Sequence, residues 1–319
     1  MSELTPPRVL ILGTGAMASV VGARLARAGD AQVTLAGTWP EALHAIQTRG
    51  VAVEEGEGRW VGAPGACAIS DAPASDIVIV LVKSTHTADP AITRAARRSA
   101  ESGGVVVTLQ NGLGNREALE HAAGPDRVAV GVASLGATLL GPAHVRAFPG
   151  SVLLGLQPRT EADVAVRLLA DLLTRAELPA EASFDVDPMV WGKLAVNCAI
   201  NPLAALTGLS NGALFRNARL RTLMGRAAAE VADVARALGI RLAHDATERV
   251  ETVALATAEN RASMLQDLDR GVPTEIEFLN GAVVREARRL KIKAPVNEWL
   301  WRSVRAREAT CLSGTSLSA

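Results

Sequence analysis

Residues 8–18 read R-V-L-I-L-G-T-G-A-M-A. The run Arg8 to Gly13 has strand length and ends in glycine, and Ala16 to Ala28 continues with small residues at helical spacing. Gly13-Thr14-Gly15-Ala16-Met17-Ala18, at the junction, is the G-x-G-x-x-A form of the dinucleotide-binding fingerprint. Gly13 permits the tight turn. Gly15 lets a pyrophosphate come against the backbone, where a Cβ would clash. Ala18 keeps the helix close to the strand. The helix start then offers unpaired N–H groups and the positive end of a dipole to the phosphates. Glycine pairs are common in loops; the strand before and the helix after make this one specific.

Working outward, the first half of the 319-residue chain alternates strand-like and helix-like segments. Further strands are expected at Gln32 to Ala36, Ile77 to Lys83, Gly104 to Leu109 and Arg127 to Val132. Short apolar runs separated by helical stretches predict a parallel sheet covered on both faces. Val51 to Ile69 is Gly-rich and weakly alternating, which suggests a small antiparallel excursion. Residues 132–155 add strands in G-V-A-S-L-G-A-T, A-H-V-R-A-F and S-V-L-L-G. From Pro188 to about Glu308 the patterning is almost wholly helical, and the tail from Cys311 to Ala319 reads as frayed. The expected fold class is α/β: a Rossmann-type doubly wound sheet over 1–184 and an all-α domain over 185–319, with a cleft between them for nicotinamide and substrate.

Composition excludes several classes. With 33 basic and 33 acidic side chains the formal net charge is zero, which argues against holding nucleic acid or an anionic membrane by bulk charge. Apolar residues are 49% of the chain, enough for a sizeable core. There is no tyrosine, so a mechanism using a tyrosine acid is impossible. Cys67, Cys198 and Cys311 are odd in number and form no metal or disulfide spacing, which fits a reducing, cytoplasmic setting. No signal peptide is expected, and the longest unbroken aliphatic runs are strand-sized, short of a membrane span. No metal site is implied. The apolar helices of the second half would allow a homodimer, and a monomer is also compatible with the sequence.

The residue after the second strand usually reports the cofactor: an acid for the ribose of NAD, a base for the 2′-phosphate of NADP. Ala36-Gly37-Thr38-Trp39 carries neither. Thr38 can hydrogen-bond either group, Trp39 can stack on adenine or simply pack, and Lys83 can supply charge near the adenine ribose or remain solvated.

In the second half, W-G-K-L-A-V-N-C-A-I-N-P places Lys193, Asn197 and Asn201 at i, i+4 and i+8, one polar stripe on a helix otherwise small and apolar. Such a stripe holds either satisfied core hydrogen bonds or a polar ligand in a cleft. Pro202 should kink or end that helix. Downstream, S-M-L-Q-D-L-D-R-G-V-P-T-E-I-E-F-L-N-G brings Ser263 and Asp267 four apart. Thr274 is a good N-cap for a following helix, with Glu275 in its first turn, where a favourable dipole interaction is the ordinary role. Asn280-Gly281 interrupts the apolar face of that helix, as a close helix contact would require.

Together these segments resemble the ketopantoate reductase family nearly end to end. The matching pieces are the glycine loop, V-K-S-T at Val82, L-Q-N-G-L-G-N at Leu109, G-V-A-S-L-G-A-T at Gly131, W-G-K-L-x-x-N-x-x-x-N-P, and S-M-L-Q-D-L with T-E-I-E-F-L-N-G. The resemblance implies a helical domain of the 6-phosphogluconate dehydrogenase type and NADPH-dependent reduction of 2-dehydropantoate, with NADH as another possible cofactor. It implies that Lys193 is the general acid and that Glu275 holds the substrate near it. Ser263 would bind the substrate carboxylate, Asn197 and Asn201 its hydroxyl end, and Asn111 would lie by nicotinamide and substrate. Asp267 would support the site, and Lys83 would sit near the NADP phosphate. Two positions depart from the family pattern: Thr38 stands where an arginine is common, and Ala147 where a histidine is often seen. A related D-2-hydroxyacid dehydrogenase acting on another branched or aromatic 2-keto acid, and a non-catalytic NADP-binding sensor, are the other readings.

Overall fold

The structure is a computed structural model describing residues 5–156 and 162–314. The chain divides into two compact units. The first comprises Met1–Gln110 and Asn115–Val186; the second comprises Asp187–Ala319 together with the short segment Asn111–Gly114.

The strands of the first unit are β1 (Arg8–Leu12), β2 (Gln32–Gly37), β3 (Val51–Glu55), β4 (Gly58–Gly62), β5 (Gly65–Ala68), β6 (Ile77–Val80), β7 (Val105–Thr108), β8 (Val128–Ala133), β9 (Gly136–Gly141), β10 (His144–Phe148), β11 (Val152–Gly155) and β12 (Ala180–Ser183). Its helices are α1 (Ala16–Ala28), α2 (Pro40–Arg49), α3 (Pro90–Glu101), α4 (Asn115–Ala123) and α5 (Ala162–Arg175). The main sheet runs β12-β11-β8-β7-β6-β1-β2-β5. β5-β2-β1-β6-β7-β8 are all parallel, and β8 pairs antiparallel with β11. The chain winds outward in both directions from β1, so the loop after β1 lies at the point where strand order reverses, where doubly wound sheets bind ligands.

Alternation along the central strands fills two cores. Val9, Ile11, Ile77, Ile79, Val105 and Val107 pack with α1 and α5. Leu10, Leu12, Val78, Val80 and Val106 pack with Ile92, Ala95, Ala96 and Leu119 of α3 and α4. Apart from Arg8 at the start of β1, every side chain of β1, β6 and β7 is therefore buried, which is why they read as unbroken apolar runs rather than as alternation.

The expected excursion over 51–69 is a β3–β4 antiparallel hairpin, but it does not stand alone. β3 pairs parallel with β10, and β10 antiparallel with β9, giving a second sheet β4-β3-β10-β9 on α1. Ala147 of β10 points into the core shared with α1, 4% exposed, where a small side chain fits. β5 leaves the excursion and joins the main sheet beside β2; its G-A-C-A sequence has little intrinsic strand preference, so pairing rather than propensity makes it a strand.

The second unit is α6 (Asp187–Thr207), α7 (Asn211–Arg216), α8 (Ala218–Ala237), α9 (Ala246–Ala256), α10 (Ser263–Asp269), α11 (Asn280–Arg289) and α12 (Pro295–Gly314). α6 is its axis, packing against α8, α9, α10 and α12. α6 does not end at Pro202 but runs through it to Thr207. One expectation needs correction. The helix expected from Thr274 begins only at Asn280, because residues 275–279 form a wider turn in which the Gly281 N–H reaches Ile276 O at 3.0 Å. Thr274 does cap that turn, its hydroxyl accepting from the Ile276 N–H at 3.2 Å. α12 extends through Gly314, into the segment expected to be frayed; residues 315–319 lie outside the described ones. Gly281 meets α12 closely, since a Cβ there would lie 2.9 Å from Trp301 Nε1.

Candidate active site

The glycine loop is built as its sequence requires. Gly13 has φ +132°, and a Cβ on it would press on the Leu81 carbonyl at 3.0 Å; its N–H donates to Ala36 O at 2.8 Å. Thr14 is buried, its side chain filling the space beside Gly37 where a Cβ would go. Gly15 is exposed, and a Cβ built on it would meet nothing within 4 Å. α1 begins without a side-chain cap and without an acidic residue in its first turn. Its leading N–H groups therefore carry no side-chain cap and no first-turn acid competes with an anion there, so the residues present fit a dinucleotide pyrophosphate. Ala16 and Met17 border the loop, half-buried, and Ala18 is fully buried. The tightest helix–strand approach lies one turn further on: a Cβ on Gly22 would collide with Leu35 and come within 3.3 Å of Ile11. Sequence reasoning did not single out Gly22, since it falls outside the fingerprint.

Thr38 is exposed at the end of β2, directly after the Gly37–Thr14 contact. Trp39 is half-buried at the start of α2. Lys83 is half-buried in the loop after β6. That loop is held by a polar network that was also missed. Gln110 Nε2 donates to Val82 O and to the Thr87 hydroxyl, both at 2.8 Å. Thr87 donates to Asn115 Oδ1 at 2.7 Å, and Asn115 Nδ2 to the Ser84 hydroxyl at 3.1 Å. Ser84 of V-K-S-T and Gln110 and Asn115 of L-Q-N-G-L-G-N were its traces in the quoted segments, and Thr87 lies outside them.

In the second unit, Asn111 and Glu275 are brought together, Asn111 Nδ2 donating to Glu275 Oε2 at 3.4 Å. The backbone fixes them: the Leu113 N–H donates to Phe278 O at 2.9 Å, and Gly112, at φ +82°, lies so close to the Phe278 carbonyl that no Cβ would fit. Lys193, on α6, is the electrostatic neighbour of Glu275. The residue as a whole keeps some exposed surface, but its ammonium end is closely surrounded. Loss of water pulls the amine from its usual 10.5 to about 8, while the Glu275 carboxylate pulls it the other way. Asn197 is half-buried and Asn201 is 9% exposed. Neither side-chain amide has a hydrogen-bond partner among the described residues, so both remain available to a polar ligand. α10 packs on α6, with Ser263 exposed at its start and Asp267 buried one turn on. Asn211, at the start of α7, is a further candidate missed from sequence: its Nδ2 donates to the Thr257 hydroxyl at 2.8 Å while its buried Oδ1 has no partner.

A buried amine lowered toward neutrality beside a carboxylate is suited to giving a proton to an oxygen on which charge develops. Residues 9–158 match the family model described as Ketopantoate reductase PanE/ApbA, and residues 185–308 the model of its C-terminal part. The 2-dehydropantoate 2-reductase of Archaeoglobus fulgidus is 37% identical over 308 residues, covering 95% of this chain and 98% of that protein. The chain belongs to the ketopantoate reductase family. Members are NAD(P)H-dependent oxidoreductases, and the α/β fold with its helical second domain is theirs. A ketopantoate reductase structure from Ralstonia eutropha has a TM-score of 0.84 at 31% identity, covering 95% of this chain and 99% of that one. A ternary complex of D-mandelate dehydrogenase with NADH and anilino(oxo)acetate has a TM-score of 0.88 at 25% identity, with the same coverage. Among the described residues of this family member, α6 is long and apolar enough to cross a membrane by length and composition, although more than half of its apolar window is buried inside the structure.

Proposed function

We propose that this ketopantoate reductase family member uses NADPH to reduce 2-dehydropantoate to (R)-pantoate, a step in pantothenate and coenzyme A synthesis, and that it works in the cytoplasm. The observation that carries this reading is the Lys193 amine beside Glu275, itself hydrogen-bonded by Asn111.

When bound, NADPH supplies a hydride to the carbonyl carbon of the 2-keto group. Lys193 Nζ gives its proton to the carbonyl oxygen as negative charge builds there, is left neutral, and is reprotonated from solvent. With a pKa of about 8 the amine is mostly protonated near neutral pH yet releases its proton more readily than a solvated lysine. Its positive charge also balances an anionic 2-keto acid. Glu275 accepts a hydrogen bond from the substrate and holds it by Lys193, while Asn111 orients Glu275. Ser263 takes the substrate carboxylate, Asn197 and Asn201 its hydroxyl end, and the buried Asp267 supports them. Gly13 to Ala18 receive the pyrophosphate, and Thr38 and Lys83 the adenine-ribose end.

A second reading is an NADH-dependent reductase of another branched or aromatic 2-keto acid. It is favoured by the likeness to the NADH complex of D-mandelate dehydrogenase and by the lack of a basic side chain at Thr38. Steady-state rates on 2-dehydropantoate and 2-ketoisovalerate, each with NADPH and NADH, separate the two. Higher kcat/KM on 2-dehydropantoate with NADPH is expected, and a clear preference for 2-ketoisovalerate overturns the choice of substrate.

A further inference from the structure

α6 continues through a residue that cannot donate. Pro202 has no N–H, so the carbonyl of Cys198, four residues earlier, loses its intrahelical partner. The side-chain amide of Asn280 supplies one, Nδ2 donating to Cys198 O at 3.0 Å. Its other N–H goes to Asn297 Oδ1 at 2.9 Å. Asn297 Nδ2 donates in turn to Ala227 O at 3.0 Å and to the Glu230 carboxylate at 2.8 Å. That carboxylate also accepts the backbone N–H groups of Val296 and Asn297, at 2.9 Å each, which are early donors of α12 without helical acceptors. Asn280 and Asn297 are both wholly buried. The direction of the chain is fixed, because the Cys198 and Ala227 carbonyls can only accept.

The placement of this amide distinguishes it from a general core hydrogen bond. Cys198 follows Asn197 directly and lies between Lys193 and Asn201 on α6. Asn280 opens α11, the helix entered from the turn that carries Glu275. One side chain thus joins the helix of the polar stripe to the segment of Glu275, at the helix position where proline makes an outside donor necessary. An apolar residue at 280 would leave a buried carbonyl unpaired.

We propose that Asn280 is a positioning residue for the Lys193–Glu275 pair, setting the α6 stripe against the Glu275 turn by donating to the carbonyl that Pro202 leaves free. The inference rests on the acid and substrate-holding roles given above to Lys193 and Glu275.

The test compares Asn280→Ala, the double variant Pro202→Ala/Asn280→Ala and Lys193→Ala, reading kcat, KM, NADPH affinity and the alkaline limb of the kcat profile. Asn280→Ala is expected to lower kcat about 10–100-fold, the scale of a misplaced catalytic group, with NADPH affinity unchanged. Its alkaline limb moves to lower pH, because Lys193 drawn away from Glu275 loses the attraction that raises its pKa. An alanine at 202 restores an N–H that reaches Cys198 within the helix but not the link from α6 to the segment of Glu275, so the double variant regains melting temperature while kcat and the limb stay as in Asn280→Ala. A purely structural amide would lower the melting temperature without moving kcat or the limb. Wild-type kcat and limb in Asn280→Ala overturn the proposal. So does a double variant with wild-type kcat and limb, which would reduce Asn280 to filling the carbonyl that Pro202 leaves free; should the single variant fail to fold, the double decides alone. Inactive Lys193→Ala beside normal Asn280→Ala overturns only the positioning role; normal turnover in Lys193→Ala overturns the acid assignment and this inference with it.

Discussion

β1 and α6 are both apolar, buried elements at the centre of their units, but they carry function differently. β1 delivers backbone: a glycine turn, an open face at Gly15 and the bare start of α1. α6 delivers side chains, a stripe of Lys193, Asn197 and Asn201 on a helix whose other faces are core. A site made of backbone depends on what is missing, namely Cβ atoms, caps and acidic neighbours. A site made of side chains depends on what surrounds it, because burial sets the chemistry of the amine. The two should therefore fail in different ways when altered.

The largest effect belongs to α6. Lys193→Ala is expected to lower kcat by about 10²–10⁴-fold, while NADPH binding, measured by fluorescence titration, stays as in the wild type. Turnover within threefold of wild type would remove Lys193 from the mechanism. In the unaltered enzyme, kcat for ketone reduction should be level below the lysine pKa of about 8 and fall about tenfold per pH unit above it, as the proton to be donated is lost.

Gly15, at the N-cap of α1, and Gly22, inside it, separate binding from folding. Gly15→Ala adds a Cβ that touches no protein atom, so stability should hold while cofactor affinity drops about 10–100-fold, the scale of one charge-assisted hydrogen bond lost. Gly22→Ala drives a Cβ into Leu35 and should do the reverse, costing about 1–2 kcal/mol of stability through overpacking, less the usual helix gain of alanine, with affinity retained. Equal losses of affinity in both variants would break the distinction.

Burial of the Lys193 ammonium also has a stability consequence. Its folded pKa lies below the unfolded value, so below pH 8 both states are charged and the folded one bears the desolvation cost; that cost fades as pH rises from about 8 to 10.5. Lys193→Met should therefore be more stable than wild type by about 1–3 kcal/mol at pH 7, and the advantage should shrink by pH 10. Urea denaturation at the two pH values measures it. A variant less stable than wild type at pH 7 would mean that the pairing with Glu275 outweighs desolvation.

The same contrast explains what could be read without coordinates. The strands buried on both faces announce themselves as apolar runs, and the fingerprint at Gly13 and the i, i+4, i+8 stripe are local patterns. β5 is not legible, because G-A-C-A becomes a strand only when β2 offers an edge. The passage of α6 through Pro202 is not legible either, because the donor that permits it, Asn280, comes from a distant part of the sequence. The turn over 275–279 reads as helix from its cap at Thr274, and only the wide closure from Gly281 to Ile276 shows otherwise. The pairing of Asn111 with Glu275 depends on backbone contacts between segments far apart in the chain, and the sequence supplied the two residues only through their resemblance to a known family.

The smallest effect tests the one place where the backbone-built region needs a side chain. Thr38 follows β2, exposed, and on the proposed reading its hydroxyl stands where a cation would pair with a 2′-phosphate. Thr38→Arg adds that cation at the edge of the glycine loop without entering a core. The ratio of NADPH to NADH affinity should rise about tenfold, as for one charged hydrogen bond formed in partial contact with solvent, and kcat at saturating cofactor should not change, since Lys193 and Glu275 are untouched. A ratio that stays where it was would mean that the 2′-position lies out of reach of residue 38. The double variant Lys83→Ala/Thr38→Arg then decides whether the half-buried Lys83 carries the discrimination: a fall in NADPH affinity with NADH affinity unchanged would assign it there.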